Sequence, residues 1–340
     1  MADKKTAVVL FNLGGPLKKD DIQPFLFNLF NDPAIIGLPG VIRTPLAWLI
    51  SKRRVKAANE IYAHLNGGSP LLEKTQKQAD LLQQQLPSEN YKVFIAMRYW
   101  HPMTQSCFQA VKKWGPDELV LLPLYPQFST TTTGSSIKEW YKYAKETWPT
   151  KEICCYPTSG EFVLAQTELL QQVLLNNNLK KQNTRILFSA HGLPQKIVDA
   201  GDPYQWQVEN TVSQVRDKLG LAWDSVVCYQ SKVGPLKWLT PSLDQELKRA
   251  KQDGKGVVIV PISFVSEHSE TLVELDIEYK EVAEDLELPF YYRVATVSEH
   301  PEFIKGLAAL VSSDSNSGTI CPTNYSNCWC RNKNVCRRTV

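Results

Sequence analysis

Residues 185–194 read RILFSAHGLP, a run of six residues, four of them apolar, that stops on His191 and a Gly-Leu-Pro turn. A run this short, bounded by turn residues, fits a strand buried on both faces rather than a helix. Runs of the same kind stand before it at Thr6 to Asn12, Tyr91 to Tyr99, Glu118 to Tyr125 and Glu152 to Tyr156. Others follow at Asp224 to Ser231, Gly256 to Phe264 and Pro289 to Val297. Between them lie helical stretches such as Leu71 to Gln85, with apolar residues at spacings of three and four. Strand and helix in alternation predict an α/β protein with two four-stranded parallel sheets, each flanked by helices. A faint echo supports two related halves: the fourth run leads to a helix opening Glu161-Phe162, the eighth to one opening Glu302-Phe303.

The 340 residues suffice for two cores, since domains average about 150 residues. The expected division is 1–157, with helix 300–312 packing on it, then 158–299, then a Ser/Asn/Asp-rich linker and cysteine-rich tail at 313–340. With 38 Lys+Arg against 35 Asp+Glu, the charge lacks the basic excess of a nucleic-acid binder. The stretch Ala7 to Leu13 is strand-length and has no small-residue cleavage site, so a cytoplasmic protein is expected. Prolines 39 and 45 break the apolar stretch from Ile35 to Ile50, which therefore does not span a membrane. Leu46, Trp48, Leu49 and Ile50 followed by Lys52, Arg53 and Arg54 suit two readings: a core helix with a solvated basic end, or a peripheral lip at 35–54 touching a bilayer.

Chemistry in such folds gathers at the carboxyl ends of strands. Four loops there are polar: LFNLGGP at 10–16, YPQFSTTTTGSS at 125–136, LFSAHGLP at 187–194 and PISFVSEHSETLVELDIEY at 261–279. LGGP lacks the spacing of a dinucleotide or Walker loop and is a weak phosphate signal. His191, on a turn at a strand end, offers a nitrogen to a proton or a metal. Glu270, Glu274 and Glu278 recur every four residues, just after His268. Three like charges on one helix face repel, by roughly 0.2–0.5 kcal/mol a pair, and need a compensating cation. Lysines from elsewhere, bulk water or a path for hydrated metal would each meet that need.

Taken in order, LFNLGGP, MRYWHP at 97–102, YPQFSTTTTGSS, LFSAHGLP with GDPY at 201–204, QSKVGP at 230–235 and PISFVSEHSETLVELDIEY resemble the signature segments of ferrochelatases. The resemblance runs from about Val8 to Val311. It implies a chelatase-like fold of two Rossmann-like domains and a lyase that inserts Fe²⁺ into a porphyrin, protoporphyrin IX or coproporphyrin, with loss of two protons; the alternatives are a chelatase for another metal, such as cobalt, and a non-catalytic tetrapyrrole carrier. It also implies His191 and Glu270 as the catalytic pair and iron contacts, and Glu274 and Glu278 as a further metal-binding row. Trp238 matches a wall of the macrocycle pocket, and Leu13, Arg53, Arg54, Tyr62 and Arg98 match other porphyrin-binding positions.

Eight cysteines occur, and Cys321, Cys328, Cys330 and Cys336 form C-x6-C-x-C-x5-C in the tail. Four thiols suit zinc or a [2Fe–2S] cluster. The resemblance favours the cluster, which many ferrochelatases carry near the C-terminus, and here all four ligands are expected from the tail, with Cys154 or Cys155 as the alternative source of one. Cys107, Cys154, Cys155 and Cys228 read as core thiols.

Overall fold

The computed structural model describes residues 4–87, 89–144, 148–220 and 222–313. The four tail cysteines lie outside them. The chain divides into two compact units, one of residues up to Cys155 together with the segment from Leu307, the other Tyr156–Gly306.

The first unit is built on β1 (Thr6–Asn12), all seven residues of which are buried. It pairs in parallel with β2 (Tyr91–Met97) and β3 (Glu118–Pro123), and β3 pairs with β4 (Thr150–Glu152), giving the order β2-β1-β3-β4. The second unit repeats this plan with β5 (Thr184–His191) at its centre, β6 (Asp224–Gln230), β7 (Gly256–Pro261) and β8 (Tyr291–Arg293) in the order β6-β5-β7-β8. The echo extends to single bonds. β3 and β7 both end on a proline, whose missing N–H closes the ladder. The next residue then makes one last bond back to the central strand, Leu124 N to Phe11 O at 2.8 Å and Ile262 N to Ser189 O at 3.0 Å.

The edge strands β4 and β8 are shorter than their apolar runs suggest, and β4 occupies Thr150–Glu152 rather than Glu152–Tyr156. After β4, Ile153 N reaches Leu121 O at 2.9 Å before the chain leaves the sheet. Ile153 to Tyr156 are buried all the same. Their hydrophobicity reflects burial in the core, which a strand pattern shares.

Each sheet has helices over two apolar faces. In the second unit one cluster contains Ile186, Phe188, Ala190, Val258 and Val260. The alternate residues Leu187, Val257 and Ile259 belong to another, with Leu275. This is the two-faced burial that makes central parallel strands continuously apolar. Cys107 and Cys228 are buried free thiols, and Cys155 is buried; Cys154, expected as a core thiol, is buried but disulfide-bonded. No helix among the described residues is long and apolar enough to cross a membrane.

Candidate active site

The site is built at the carboxyl end of the second sheet. β5 delivers His191 opposite Gln230, the last residue of β6. Two side chains pin its backbone: His191 N donates to Ser263 Oγ at 3.2 Å, and Tyr204 OH donates to His191 O at 3.1 Å. Tyr204 is fixed in turn, since its N–H donates to the Asp202 carboxylate at 3.0 Å in the GDPY turn. The imidazole is therefore aimed by its surroundings as well as by its strand.

His191 Nδ1 lies 2.8 Å from Glu270 Oε2. With the proton on Nδ1 donated to that carboxylate, Nε2 becomes the nitrogen open to a further proton or a metal. Burial opposes a charge on the ring, yet the adjoining Glu270 carboxylate, supported by Glu274, raises the pKa of His191 to about 9. Glu270 moves the other way: burial would raise its pKa, but His191 and then His268 hold it far below the usual carboxylate range. His268 Nδ1 is 3.0 Å from Ser266 O, a pure acceptor, so this nitrogen donates. His268 Nε2 then faces Glu270 Oε2 at 3.8 Å.

The carboxylates stand on a π-helix, Glu270–Glu278, where sequence spacing suggests an ordinary α-helix. Its hydrogen bonds span five residues, as from Tyr279 N to Glu274 O. Glu274 Oε2 accepts from Ser231 Oγ at 2.6 Å and from Gln230 Nε2 at 3.0 Å. The buried Gln230 amide also donates to Glu270 O at 3.1 Å and accepts from Ser189 Oγ at 2.8 Å. Burial and the neighbouring Glu270 charge raise the pKa of Glu274. The two carboxylates are thus driven apart in acidity, a common mark of groups with different tasks. Glu278, the third of the row, is exposed.

Among the described residues no lysine or arginine forms an ion pair with Glu270, Glu274 or Glu278, whereas their neighbours Glu267 and Asp276 are both paired to Arg293. Among the described residues, then, the row has no direct lysine or arginine compensation.

Trp238 joins the site from the segment after β6. Pro194 and Trp238 form a β-bridge, and the indole Nε1 donates to Val233 O at 3.1 Å. A Cβ at Gly192 would stand 2.8 Å from Gln230 O and 3.2 Å from the Trp238 ring, so glycine lets that ring lie against the His191 strand end.

The remaining expected positions belong to the first unit. Leu13 and the buried Tyr62 pack in one cluster with Ile22, Phe25, Tyr99 and Trp100. Arg53 and Arg54 are exposed on the helix Gly40–Ala63. Arg98 is engaged within its own unit, with Nη2 2.7 Å from Asp32 and Nε donating to Ser135 Oγ at 2.7 Å. The LGGP loop is a packing device. A Cβ on Gly15 would come within 2.6 Å of Ser69 Cβ, and one on Gly14 within 3.0 Å of Trp100 N.

A family model described as ferrochelatase matches residues 5–315. A ferrochelatase of Caulobacter vibrioides (strain NA1000 / CB15N) is 51% identical over 341 residues, covering 96% of this chain and 98% of that one. The chain belongs to the ferrochelatase family. A member from Rickettsia bellii (strain OSU 85-389) is 46% identical, with 96% of this chain and 95% of that one covered. Among solved structures, SirB from Bacillus subtilis with Fe3+ is similar at a TM-score of 0.53 and 14% identity, covering 90% of this chain and 94% of that one. The sirohydrochlorin chelatase SirB in complex with cobalt, from Bacillus subtilis subspecies spizizenii, gives a TM-score of 0.52 at 11% identity, covering 89% and 92%. At such identities the likeness concerns the fold, two four-stranded parallel sheets with helices on their faces. Ferrochelatase family membership rests on the sequence matches.

Sequence reasoning finds His191, the glutamates and Trp238, and it misses their supports. Gln230, Ser231 and Tyr204 lie inside the quoted QSKVGP and GDPY segments, but their partners are 40, 43 and 13 residues away. Only their grouping into ordered segments pointed to them.

Proposed function

We propose that this protein inserts ferrous iron into a porphyrin, protoporphyrin IX, to give heme and two protons. The observation that carries this reading is the glutamate row. Three carboxylates, graded from half-buried to exposed, have no lysine or arginine partner among the described residues and lead to a histidine. Such a row attracts a divalent cation, replaces its water with oxygen ligands and passes it inward.

The geometry supports the following roles. Iron enters along Glu278 and Glu274 toward Glu270. At neutral pH the His191–Glu270 pair holds a proton, since His191 titrates near 9. A dication reaching Glu270 neutralises the charge that keeps His191 protonated, and the proton leaves. His191 Nε2 then accepts a proton from a pyrrole N–H as the metal displaces it. Glu274, whose own affinity for protons is raised, receives and exports them. Trp238 supports a wall for the macrocycle, and Leu13 supplies apolar surface with the buried Tyr62 in the same cluster. Arg53 and Arg54 are the exposed cations for propionates. Arg98 has the charge but is already occupied by Asp32, so its part is to order the first unit.

Two further assignments come with this reading. Cys321, Cys328, Cys330 and Cys336 supply the four thiolates that a [2Fe–2S] cluster takes. The stretch 35–54 serves as a peripheral contact with a lipid surface. Val41 is 86% and Trp48 48% exposed, and Lys52 Nζ stands 4.2 Å from the Trp48 ring centre.

The deciding experiment mixes protein, Fe²⁺ and protoporphyrin without oxygen and follows loss of porphyrin fluorescence against growth of heme absorption. Catalysed conversion is expected, and a rate no higher than the protein-free blank defeats the proposal. Coproporphyrin in a parallel arm settles the substrate.

A further inference from the structure

π geometry mostly occurs as single turns within α-helices. Nine consecutive residues of it, Glu270–Glu278, therefore need something to hold the register. Three side chains outside the helix do so. Tyr291 OH donates to Leu275 O at 2.6 Å. Arg293 lays a fork on Asp276, with Nε 2.5 Å from Oδ1 and Nη2 2.7 Å from Oδ2. Its remaining nitrogen, Nη1, donates to both oxygens of Glu267, at 2.9 and 3.1 Å. At the other end Gln230 Nε2 donates to Glu270 O.

Tyr291 and Arg293 are two apart on β8, so their side chains leave the strand on one face. Tyr292 between them packs in the opposite cluster, with Phe290. β8 is only three residues long and stands at the sheet edge. As a strand it adds little pairing. Its inward-facing residues nonetheless grip Leu275 and Asp276, in the middle of the carboxylate row.

We infer that Tyr291 and Arg293 are positioning residues that hold the π-register, and with it the offset between Glu270 facing His191 and Glu274 facing Ser231. In an α-register the Glu274 carbonyl would bond to residue 278 instead of Tyr279. The intervening side chains would then rotate about the axis, and Glu274 could not keep its bonds to Ser231 and Gln230 while Glu270 kept His191. The functional part of this inference rests on the proposed metal insertion. The clamp itself rests on the hydrogen bonds.

Arg293→Ala is a poor test, because stranding two carboxylates is by itself enough to disrupt folding. Tyr291→Phe keeps the half-buried ring and removes one donor. Arg293→Lys keeps the charge and loses the fork. Both variants are compared with the parent protein in anaerobic insertion kinetics, varying Fe²⁺ and porphyrin separately, and in amide hydrogen exchange. Tyr291→Phe is expected to lower kcat about 10-fold, since small misplacements cost that much or more. The KM for Fe²⁺ should rise while that for porphyrin stays within about twofold. Exchange should quicken over residues 270–279 and not in β5 or β7. Combined with Glu274→Gln, Tyr291→Phe should add almost nothing, because its effect passes through that carboxylate. Unchanged exchange over 270–279 in both variants overturns the clamp. So does a porphyrin KM that moves in step with kcat. If the parent inserts no iron but exchange still quickens locally, the clamp stands and the proposed reaction falls.

Discussion

Considered alone, His191 is a histidine at a strand end, a common structural position. Its chemistry comes from a carboxylate 2.8 Å from Nδ1 and from backbone bonds that stop the ring turning away. The His191→Ala variant should fold and bind porphyrin with near-parental affinity, while insertion falls by about 10²–10⁴, the usual worth of a positioned proton acceptor. Fluorescence titration and the insertion assay check the two halves of that statement, and near-normal turnover would remove His191 from the mechanism. The pair also makes stability depend on pH. His191 is raised from 6.5 to about 9, so its stabilising interaction is complete below about pH 6.5 and is lost as pH rises through 9. Glu270 is lowered from 4.5, so its share is complete above about pH 4.5 and is lost only as pH falls through its depressed folded value. The Tm gap between the protein and Glu270→Gln should therefore be widest between about pH 4.5 and 6.5 and narrow toward about pH 10. A gap that widens above neutrality would contradict the assignment.

Among the elements, those fixed by local pattern were legible and those fixed by distant partners were not. β1 is recovered to the residue because the seven residues Thr6–Asn12 are all buried and turn residues follow them. β4 is not, because Ile153 to Tyr156 are apolar and buried without extending the strand beyond Glu152. The π-helix is also invisible in sequence. ETLVELDIE suits an α-register equally well, and what selects the other lies 16 and 17 residues on, at Tyr291 and Arg293. The glycine loops mislead in the opposite direction, since LGGP resembles a phosphate cradle yet closes on the loop before Leu71. A Cβ at Gly68 would sit 2.3 Å from Leu17 O, a backbone atom that cannot swing aside. Gly68→Ala should accordingly cost about 1–3 kcal/mol in denaturant unfolding. Gly160→Ala, with nothing within 4 Å of its Cβ, should stay within about 0.5 kcal/mol. Equal effects at the two positions would show that the interlock contributes nothing.

Over the whole molecule, the repeated strand order explains why so slight an echo as Glu161-Phe162 and Glu302-Phe303 has a counterpart in the fold. Phe162 and Phe303 are both buried, with ring centroids 6.0 Å apart. The tail is a separate matter, because its sequence speaks through ligand chemistry and not through packing. Four cysteines within 16 residues, Cys321 to Cys336, match the four thiolates of a [2Fe–2S] cluster and equally those of a zinc site. The two differ in what the purified protein contains. With a cluster, protein prepared without oxygen is brown and holds about two irons and two acid-labile sulfides per chain. With zinc it is colourless and sulfide-free. Changing all four tail cysteines to serine should remove colour, iron and sulfide together, whereas Cys107→Ser and Cys228→Ser, at buried free thiols, should leave all three in place. A colourless anaerobic preparation with stoichiometric zinc would replace the cluster by a zinc site. The insertion assay on the four-serine variant would then show whether the tail matters for turnover or only for the integrity of the chain.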